Sequence, residues 1–448
     1  MKYQSAGVVY LFALLAGLLA APPLGAQIII TEIMYHPVEQ PLFSSGGQPA
    51  IDLTEDVHEF IEIHNPGAVA VNLTGWKISG GVDYNLPIGA VVQPGQYRVV
   101  AKDKNRLAAV TAYGLAAPDI FGPYHGQLSN QGGTIRLKDG NGTTVDSVSY
   151  SANFPWAISA DGLGAGDEWT GIDSALHQYR GRSLERVSFA HSANDPANWM
   201  ASPMPGEPSP GRANTVNRSV PQPIVVSYKA SQLSDRQIII RSNQPVRIEC
   251  TFSASGSLSN AAVEYFIDDI NLTNEAHTTL LMTEAGGRRY TVDVPGQADR
   301  SLVRYRIRAD RDSGDAVVSP RVDDPFAWHA YFVTPVRSST NDVYDLFISS
   351  KSASQLAINL SDNPNGGYLP VLSVIPNGRW NNEEPGVFVH NGIVRDVRTR
   401  YNGSFYRRSA GRQSYKVALP RYDLLHGQST LLVTDKDYIT EVGPYFFR

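Results

Sequence analysis

Short stretches of alternating apolar and polar residues recur along most of the chain. The first is a β-branched run from Ile28 to Met34, and the second surrounds Phe60, Ile61 and Ile63. Because neighbouring side chains of a strand point to opposite faces, this period of two predicts half-buried strands. Further strands are predicted at residues 82–86, 96–101, 134–137 and 145–149, with a hairpin turn at Asp139-Gly140-Asn141-Gly142. Short strands at this spacing are typical of a β-sandwich.

The same alternation predicts two more regions of β structure. Strands at residues 246–252, 263–267, 290–294, 303–309 and 331–333 favour a second, fibronectin-like sandwich that acts as a spacer. From Tyr344 onwards, extended segments are predicted at 397–404, 412–419 and 431–434. The predicted organisation is a leader (1–26), a sandwich with a C-terminal extension (27–200), a Pro-rich linker (201–222), a second sandwich (223–335) and a third region (336–448).

Composition agrees with a chain of several β domains. At 448 residues the chain is too long for a single hydrophobic core. Only 18% of the residues are charged, and 39 Gly and 29 Pro favour short strands joined by turns over long helices. The formal net charge of -5 is small for this length, so charge gives no general argument for nucleic acid or an anionic membrane as a partner. We therefore predict no nucleic-acid partner.

The N-terminus predicts export. Lys2 precedes an apolar run from Val8 to Ala21, which is followed by a Pro-Pro break and by small residues up to Ala26. This order is that of a signal peptide cleaved near Ala26. The run is shorter than the ~20 residues that span a bilayer, although an uncleaved membrane anchor is the alternative. The expected location is secreted or cell-envelope associated, with no transmembrane span after cleavage.

Cys250 is the only cysteine, which excludes an intramolecular disulfide. We expect its thiol to be buried as a small apolar group. An exported protein without disulfides fits a bacterial envelope or medium better than a eukaryotic extracellular setting.

Four segments of the first sandwich carry a family resemblance. They are IIITEIMYHP, EFIEIHNPGAVAVNLTGWKIS, LPIGAVVQPGQYRVVAKD and LSNQGGTIRLKDGNGTTVDSVSY. Their order and spacing resemble the lamin-tail domain of exported bacterial proteins. The most diagnostic pieces are the run Glu59–Ile63, Asn65, the step from Leu73 to Trp76, and the turn from Leu128 to Gly133. The resemblance implies an immunoglobulin-like sandwich that attaches to a protein or cell-envelope partner and has no catalytic centre.

Basic residues are concentrated in the third region. Between residues 395 and 421 the chain has a single acid, Asp396, among eight basic residues: Arg395, Arg398, Arg400, Arg407, Arg408, Arg412, Lys416 and Arg421. Alternation predicts a positive surface there, where arginines and the backbone at Gly403 and Ser404 could contact phosphates. A solvated sheet face paired with acids from elsewhere in the chain is the alternative.

The string YNGSFYRRSAGRQSYKVALP resembles the start of the spore-coat CotH family of atypical protein kinases. The resemblance implies an incomplete α+β kinase-like N-terminal lobe, with Lys416 on the nucleotide phosphates. Arg400 and Arg412 are lesser nucleotide-binding candidates, together with the turn at Gly403 and Ser404. In that family the magnesium ligands come from a later lobe, so we expect ATP and Mg²⁺ to bind only in a complete kinase domain. No catalytic residue is assigned, and no activity is expected for the chain as it stands.

Two metal sites are conceivable but are not our prediction. His36, His58 and His64 lie near glutamates in sequence, which could suit zinc. Acidic residues of the second sandwich could suit calcium, although their spacing matches no known calcium loop: Asp310, Asp312, Asp315, Asp323 and Asp324. Edge and surface histidines and solvated loop carboxylates are the preferred interpretation.

The favoured function is that of an exported multi-domain binding or scaffold protein. The alternatives are a fragment of a secreted CotH-like kinase that binds ATP, and a cell-surface protein that binds carbohydrate or metal through the sandwich loops.

Overall fold

The computed structural model is mainly β, which confirms the predicted fold class, although it does not confirm a kinase-like lobe. The residues it describes are 28–37, 42–43, 49–50, 55–110, 113–161, 182–203, 208–232, 239–311, 316–338, 342–361, 382–402, 413–420, 423–433, 440–441 and 446–447. Three groups of sheets follow one another along the chain, and we refer to them as the first unit (28–222), the second unit (223–338) and the third unit (342–447). The domain boundaries remain a prediction.

The first unit is a sandwich of a six-stranded sheet, in the order β10-β9-β4-β1-β14-β15, and a five-stranded sheet, in the order β11-β7-β6-β12-β13. Two short ribbons, β2–β3 and β5–β8, complete it. The strands are β1 Ile29–Met34, β2 Leu42–Phe43, β3 Pro49–Ala50, β4 Phe60–His64, β5 Val71–Asn72, β6 Lys77–Gly80, β7 Val82–Asn85, β8 Val91–Val92, β9 Tyr97–Ala101, β10 Ile120–Phe121, β11 His125–Gly126, β12 Gly132–Lys138, β13 Thr144–Ser151, β14 Leu184–Arg186 and β15 Trp199–Ala201.

The six-stranded sheet is buried on both faces. Its inner face contributes Ile33, Ile61 and Leu184 to the core between the two sheets. On the outer face, Met34 and Phe60 lie in a second apolar cluster with Leu107 of helix α1, Lys104–Ala108. That helix begins where the Asp103 carboxylate accepts hydrogen bonds from two backbone N–H groups of its first turn. Because both faces of the sheet are covered, β1 has no exposed residue, although it contains polar residues.

The second unit is a sandwich of two antiparallel sheets, in the orders β16-β17-β21-β20 and β19-β18-β22-β23, with β24 also pairing with β22. Alternate residues of β17 and β22 point into its core, where Cys250 is fully buried, as expected. The strands are β16 Val225–Gln232, β17 Val246–Phe252, β18 Ser259–Asp268, β19 Thr278–Leu281, β20 Thr283–Glu284, β21 Arg289–Val294, β22 Leu302–Asp310, β23 Ala316–Ser319 and β24 His329–Phe332.

The third unit is one seven-stranded sheet, in the order β29-β28-β27-β26-β25-β31-β30, with helix α2, Ser350–Ser361, packed on one face through Leu356. Asn391 and Gly392, both at positive φ, form the two-residue turn between β26 and β27, which suits their residue types. The strands are β25 Tyr344–Ile348, β26 Glu384–His390, β27 Ile393–Asn402, β28 Ser414–Ala418, β29 Thr430–Val433, β30 Thr440–Glu441 and β31 Phe446–Phe447.

Within the described residues, no helix has the length and apolar character needed to cross a membrane.

Residues 208–216 fall in the predicted linker, and their Pro, Ser and Gly content is typical of a free linker. In the structure they lie across the six-stranded sheet and are hydrogen-bonded to it. Buried glutamates of the sheet hold this segment in place.

Candidate functional site

The predicted nucleotide-binding residues are only partly covered by the structure. Arg400 and Lys416 lie directly opposite each other on β27 and β28. Both approach the same carboxylate oxygen of Glu383, at 3.6 Å from Arg400 Nε and 3.7 Å from Lys416 Nζ. Burial lowers the pKa of Arg400, and the charge of Glu383 opposes that effect. The other predicted residues, Gly403, Ser404 and Arg412, lie outside the described residues.

Acids and backbone carbonyls from elsewhere in the chain contact the neighbouring basic side chains. Arg395 Nη2 donates to Asp423 Oδ1 at 2.7 Å, and Arg398 Nη2 donates to the Glu383 carbonyl oxygen at 3.0 Å. The register places Arg395 on the face of Phe388 and Val397, whereas Arg398 and Arg400 lie on the other face of the sheet. These basic side chains therefore do not share one surface, and an acid or a carbonyl lies beside each of them.

The structure does not bring the three histidines considered for zinc into one group. His36 Nδ1 lies 2.7 Å from Asp161 Oδ1. His64 stacks on Tyr97 with ring centroids 3.9 Å apart, and its Nδ1 lies 3.1 Å from the Gln96 carbonyl oxygen. Among the described residues, no cluster of three or more His, Cys, Asp or Glu side chains could hold a metal ion.

A row of three glutamates crosses the outer face of the six-stranded sheet. Glu32 on β1 lies directly opposite Glu62 on β4 on one side and Glu185 on β14 on the other. All three are buried. The sequence carried a signal for them, since acids in otherwise apolar strands are expensive to bury unless they have specific partners.

The segment 208–216 supplies many of those partners. Ser209 donates to Glu32 through its backbone N–H at 3.0 Å and through its hydroxyl at 3.2 Å. The Gly211 N–H donates to Glu62 Oε2 at 2.7 Å, and the Thr215 hydroxyl donates to Glu185 Oε2 at 2.6 Å. The row therefore anchors the end of the first unit against its own sheet.

Burial controls the protonation of this row. Desolvation, followed by the charge of Glu185, raises the pKa of Glu32 to about 8. Desolvation also raises the pKa values of Glu62 and Glu185. A raised pKa favours the neutral, protonated carboxyl, which still forms hydrogen bonds with its neighbours. We assign the row a structural role.

The first and second units meet at the open edge of β15. Arg321 Nη2 of the second unit donates to the Trp199 carbonyl oxygen at 2.6 Å, and the Ala201 N–H donates to Asp323 Oδ2 at 3.0 Å. Arg321 Nε also donates to Asp323 Oδ1 at 3.0 Å. The two side chains thus occupy the donor and acceptor positions that a further strand would use.

More contacts converge on the backbone carbonyl of Asp323. The Ser159 hydroxyl and Arg182 Nη1 of the first unit both donate to this oxygen. The Asp323 and Arg321 side chains are 5% and 6% exposed, so their charges are desolvated and depend on this exact set of partners. Asp323 is therefore a structural residue at a unit boundary and is not a solvated loop carboxylate.

Apolar side chains form the contact between the second and third units. Leu302 and Phe332 of the second unit pack with Phe347, Val387 and Val389 of the third in one buried cluster. The Phe332 and Phe347 ring centroids are 5.4 Å apart. At the rim, Arg304 Nη1 and Nη2 donate to the two carboxylate oxygens of Asp396, at 2.8 Å and 2.6 Å.

Comparison with known families supports the assignment of the first unit. Residues 22–152 match the family model of the lamin tail domain. The chain is therefore a multi-domain β protein with an immunoglobulin-like lamin-tail module near its N-terminus. The fibronectin-like and CotH-like parts of the resemblance have no such match and remain predictions.

The remaining comparisons add no functional argument. None of the curated proteins matches the chain. Among solved structures, Escherichia coli alpha-2-macroglobulin activated by porcine elastase aligns with 88% of this chain and 32% of its own, at 9% identity. The TM-score of 0.19 is too low for that alignment to bear on fold or function.

Proposed function

We propose that the protein is an exported scaffold that presents its lamin-tail sandwich in a fixed orientation on the second unit. The observation that carries this proposal is the bonding of Arg321 and Asp323 to the edge of β15. An apolar leader from Val8 to Ala21 supports export.

A buried ionic contact suits a fixed orientation better than a flexible one. Desolvating Arg321 and Asp323 costs free energy that is recovered only when their bonds to Trp199 and Ala201 are formed with good geometry. Small rotations between the units would break several of these bonds together. A binding surface on the first unit would therefore keep its distance and direction relative to the rest of the chain.

One end of the first sandwich offers a surface for a protein or cell-envelope partner. Ile88 is 92% exposed at the tip of the turn that the Ala90 N–H to Pro87 carbonyl bond closes. The Thr74 hydroxyl accepts a bond from the Gly89 N–H, and the hairpin at Gly140 approaches the neighbouring turn at Gly75. A loop that is held by hydrogen bonds and has an apolar tip is a suitable anchor for a partner.

Binding to envelope preparations from the native host tests this surface. We expect the full chain to bind, and Ile88→Ser to weaken binding about tenfold while leaving the fold intact. Leu272→Ser, at an exposed apolar residue of the second unit, is the matched control and should bind like the wild type. Equal binding by Ile88→Ser and wild type would exclude this end of the sandwich.

Nucleotide binding by the third unit is a second candidate. It is supported by the juxtaposition of Lys416 and Arg400 beside Glu383, which resembles the lysine–glutamate pairing used by kinases. Calorimetric titration of the full chain with ATP and Mg²⁺ tests it. Binding that is lost in Lys416→Met and kept in Lys351→Met, at an exposed lysine of α2, would support this function. If the wild-type protein gives no heat of ATP binding, nucleotide binding is excluded as a function of the third unit.

A further inference from the structure

The outer face of the second unit carries an unusual set of side chains. Alternation along β18 places Glu264 and Phe266 on this face, because Val263 and Tyr265 point into the core. On β22 the same rule places Arg304, Arg306 and Arg308 beside them, and the register sets Glu264 opposite Arg306. A row of arginines on β22 thus lies beside Glu264 and Phe266 on β18.

Three aromatic rings contact one another on this face. Phe266 and His277 stack at 4.7 Å between ring centroids, with an interplanar angle of 16°. Trp328 meets both rings edge-on, at 4.9 Å from Phe266 and 5.1 Å from His277. The guanidinium carbon of Arg306 lies 4.5 Å from the Trp328 ring centroid, which fixes the indole against the sheet. The three rings form one aromatic surface, of which His277 is exposed.

The charges around this aromatic surface are unequal. Glu264 accepts hydrogen bonds from Arg306 Nε at 2.7 Å, and its carboxylate lies 2.8 Å from His277 Nδ1 and 3.5 Å from Arg308 Nη1. The single carboxylate of Glu264 therefore contacts two arginines, Arg306 and Arg308, and this group has an excess of positive charge. The bond to Glu264 occupies one of the five N–H donors of Arg306. The Arg308 side chain is 46% exposed.

Aromatic rings and arginines side by side suit a ligand with two kinds of surface. A pyranose ring offers an apolar C–H face for stacking on aromatic rings, and a uronate carboxylate offers two oxygens for a guanidinium. Arg304 does not contribute to this excess, because its guanidinium is engaged by Asp268 and Asp396. The available positive charge is therefore localised at Arg306 and Arg308, beside the rings.

We propose that this face binds an acidic polysaccharide, with uronate sugar rings stacked on Trp328 and His277 and a carboxylate bound by Arg306 and Arg308. The site is independent of the lamin-tail surface proposed above, because it lies on a different unit. Binding would give the scaffold a second attachment point, on anionic glycan.

Titration of the full chain with oligogalacturonate, monitored by tryptophan fluorescence and calorimetry, tests the proposal. Maltoheptaose, a neutral oligosaccharide, and dextran sulfate, a sulfated one, are the comparison ligands. We expect saturable binding of oligogalacturonate that is at least tenfold tighter than binding of either comparison ligand. Equal binding of maltoheptaose would contradict the role of the arginines, and equal binding of dextran sulfate would reduce the site to a general polyanion surface. Both results would overturn the proposal, as would the absence of oligogalacturonate binding.

Variants separate stacking from charge. Trp328→Ala should weaken oligogalacturonate binding about tenfold or more, and Arg308→Gln should weaken it about threefold to tenfold. Arg247→Gln, which changes an exposed arginine on the other sheet, should bind like the wild type. If Trp328→Ala does not fold, Arg308→Gln decides the outcome, since that side chain is half exposed. Unchanged affinity in Arg308→Gln would contradict the proposed carboxylate contact.

Discussion

The two contacts between units differ in the kind of side chain that forms them. Between the first and second units, Arg321 and Asp323 are buried charges that complete the edge of β15. Between the second and third units, Phe332 and Phe347 belong to an apolar cluster, and the ion pair of Arg304 with Asp396 lies at its rim.

This difference has a consequence for specificity. An apolar cluster tolerates small shifts, because the hydrophobic effect is non-directional. Hydrogen bonds to buried charges are directional, and each broken bond leaves a desolvated group unpaired. The first contact is therefore expected to define orientation, whereas the second is expected to supply cohesion.

The largest effect should come from Asp323→Ala. This change removes the acceptor of the Ala201 N–H and leaves Arg321 buried without its carboxylate, which costs about 3–5 kcal/mol. Hydrogen exchange of the Ala201 amide is the measurement, and its protection should fall by about a hundredfold or more. Asp299→Ala, at an exposed aspartate of the same unit, should leave the protection unchanged. Unaltered protection in Asp323→Ala would mean that the edge contact does not form.

Phe347→Ala should have a slightly smaller effect, at the second contact. Removing the ring leaves a cavity against Phe332 and costs about 3 kcal/mol. Denaturant unfolding of the full chain should show the third unit melting earlier. Because the lost interaction is apolar, the change should be the same at low and high salt. A salt-dependent change would argue against an apolar contact.

The first contact should also depend on pH, through Asp324. Burial, opposed by Arg321 and reinforced by the neighbouring charge of Asp323, raises the pKa of Asp324 from 3.8 to about 7. Folding thus favours the protonated carboxyl, so its contribution is complete below about pH 4 and is lost as the pH rises through about 7.

Asp324→Asn should flatten that dependence. We expect the wild-type contact to weaken by about 1 kcal/mol or more between pH 5 and pH 8, as measured by Ala201 exchange corrected for its intrinsic rate. The variant should change little over this range. A wild-type contact that strengthens with rising pH would contradict the assigned sign.

Asp396→Asn should have the smallest effect. The Asp396 side chain is 46% exposed, and Arg304 retains its bond to Asp268 at 2.8 Å. Exposed pairs of this kind contribute about 1 kcal/mol or less, and salt screens them. Thermal unfolding should show a shift at low salt that disappears at high salt. A loss of stability as large as that expected for Phe347→Ala would show that the ion pair, and not the apolar cluster, is the main contact.

The sequence predicted the strands well because their alternation is a local property. The predicted strand at 246–252 is β17, and the Asp139–Gly142 turn joins β12 to β13. The same local pattern could not reveal that Glu32 is buried on the outer face, since the covering residue Ser209 lies 177 positions away.

The candidate sites show the same limit. Alternation indicated a basic sheet face at Arg398 and Arg400, but it could not identify Glu383 as the acid beside Arg400. Asp323 appeared as a loop acid because its role depends on the edge of β15, 122 positions earlier in the chain. Long-range partners, which composition and periodicity do not encode, decide what these charges do.

The most direct test of the scaffold proposal is the distance distribution between spin labels on the first two units. Cys250 is buried and is the only cysteine, so labels at Asn141→Cys and Asn274→Cys would report one distance. A fixed orientation predicts a single narrow distribution that broadens in Asp323→Ala. A distribution that is already broad in otherwise wild-type protein would contradict it, because the units would then move independently.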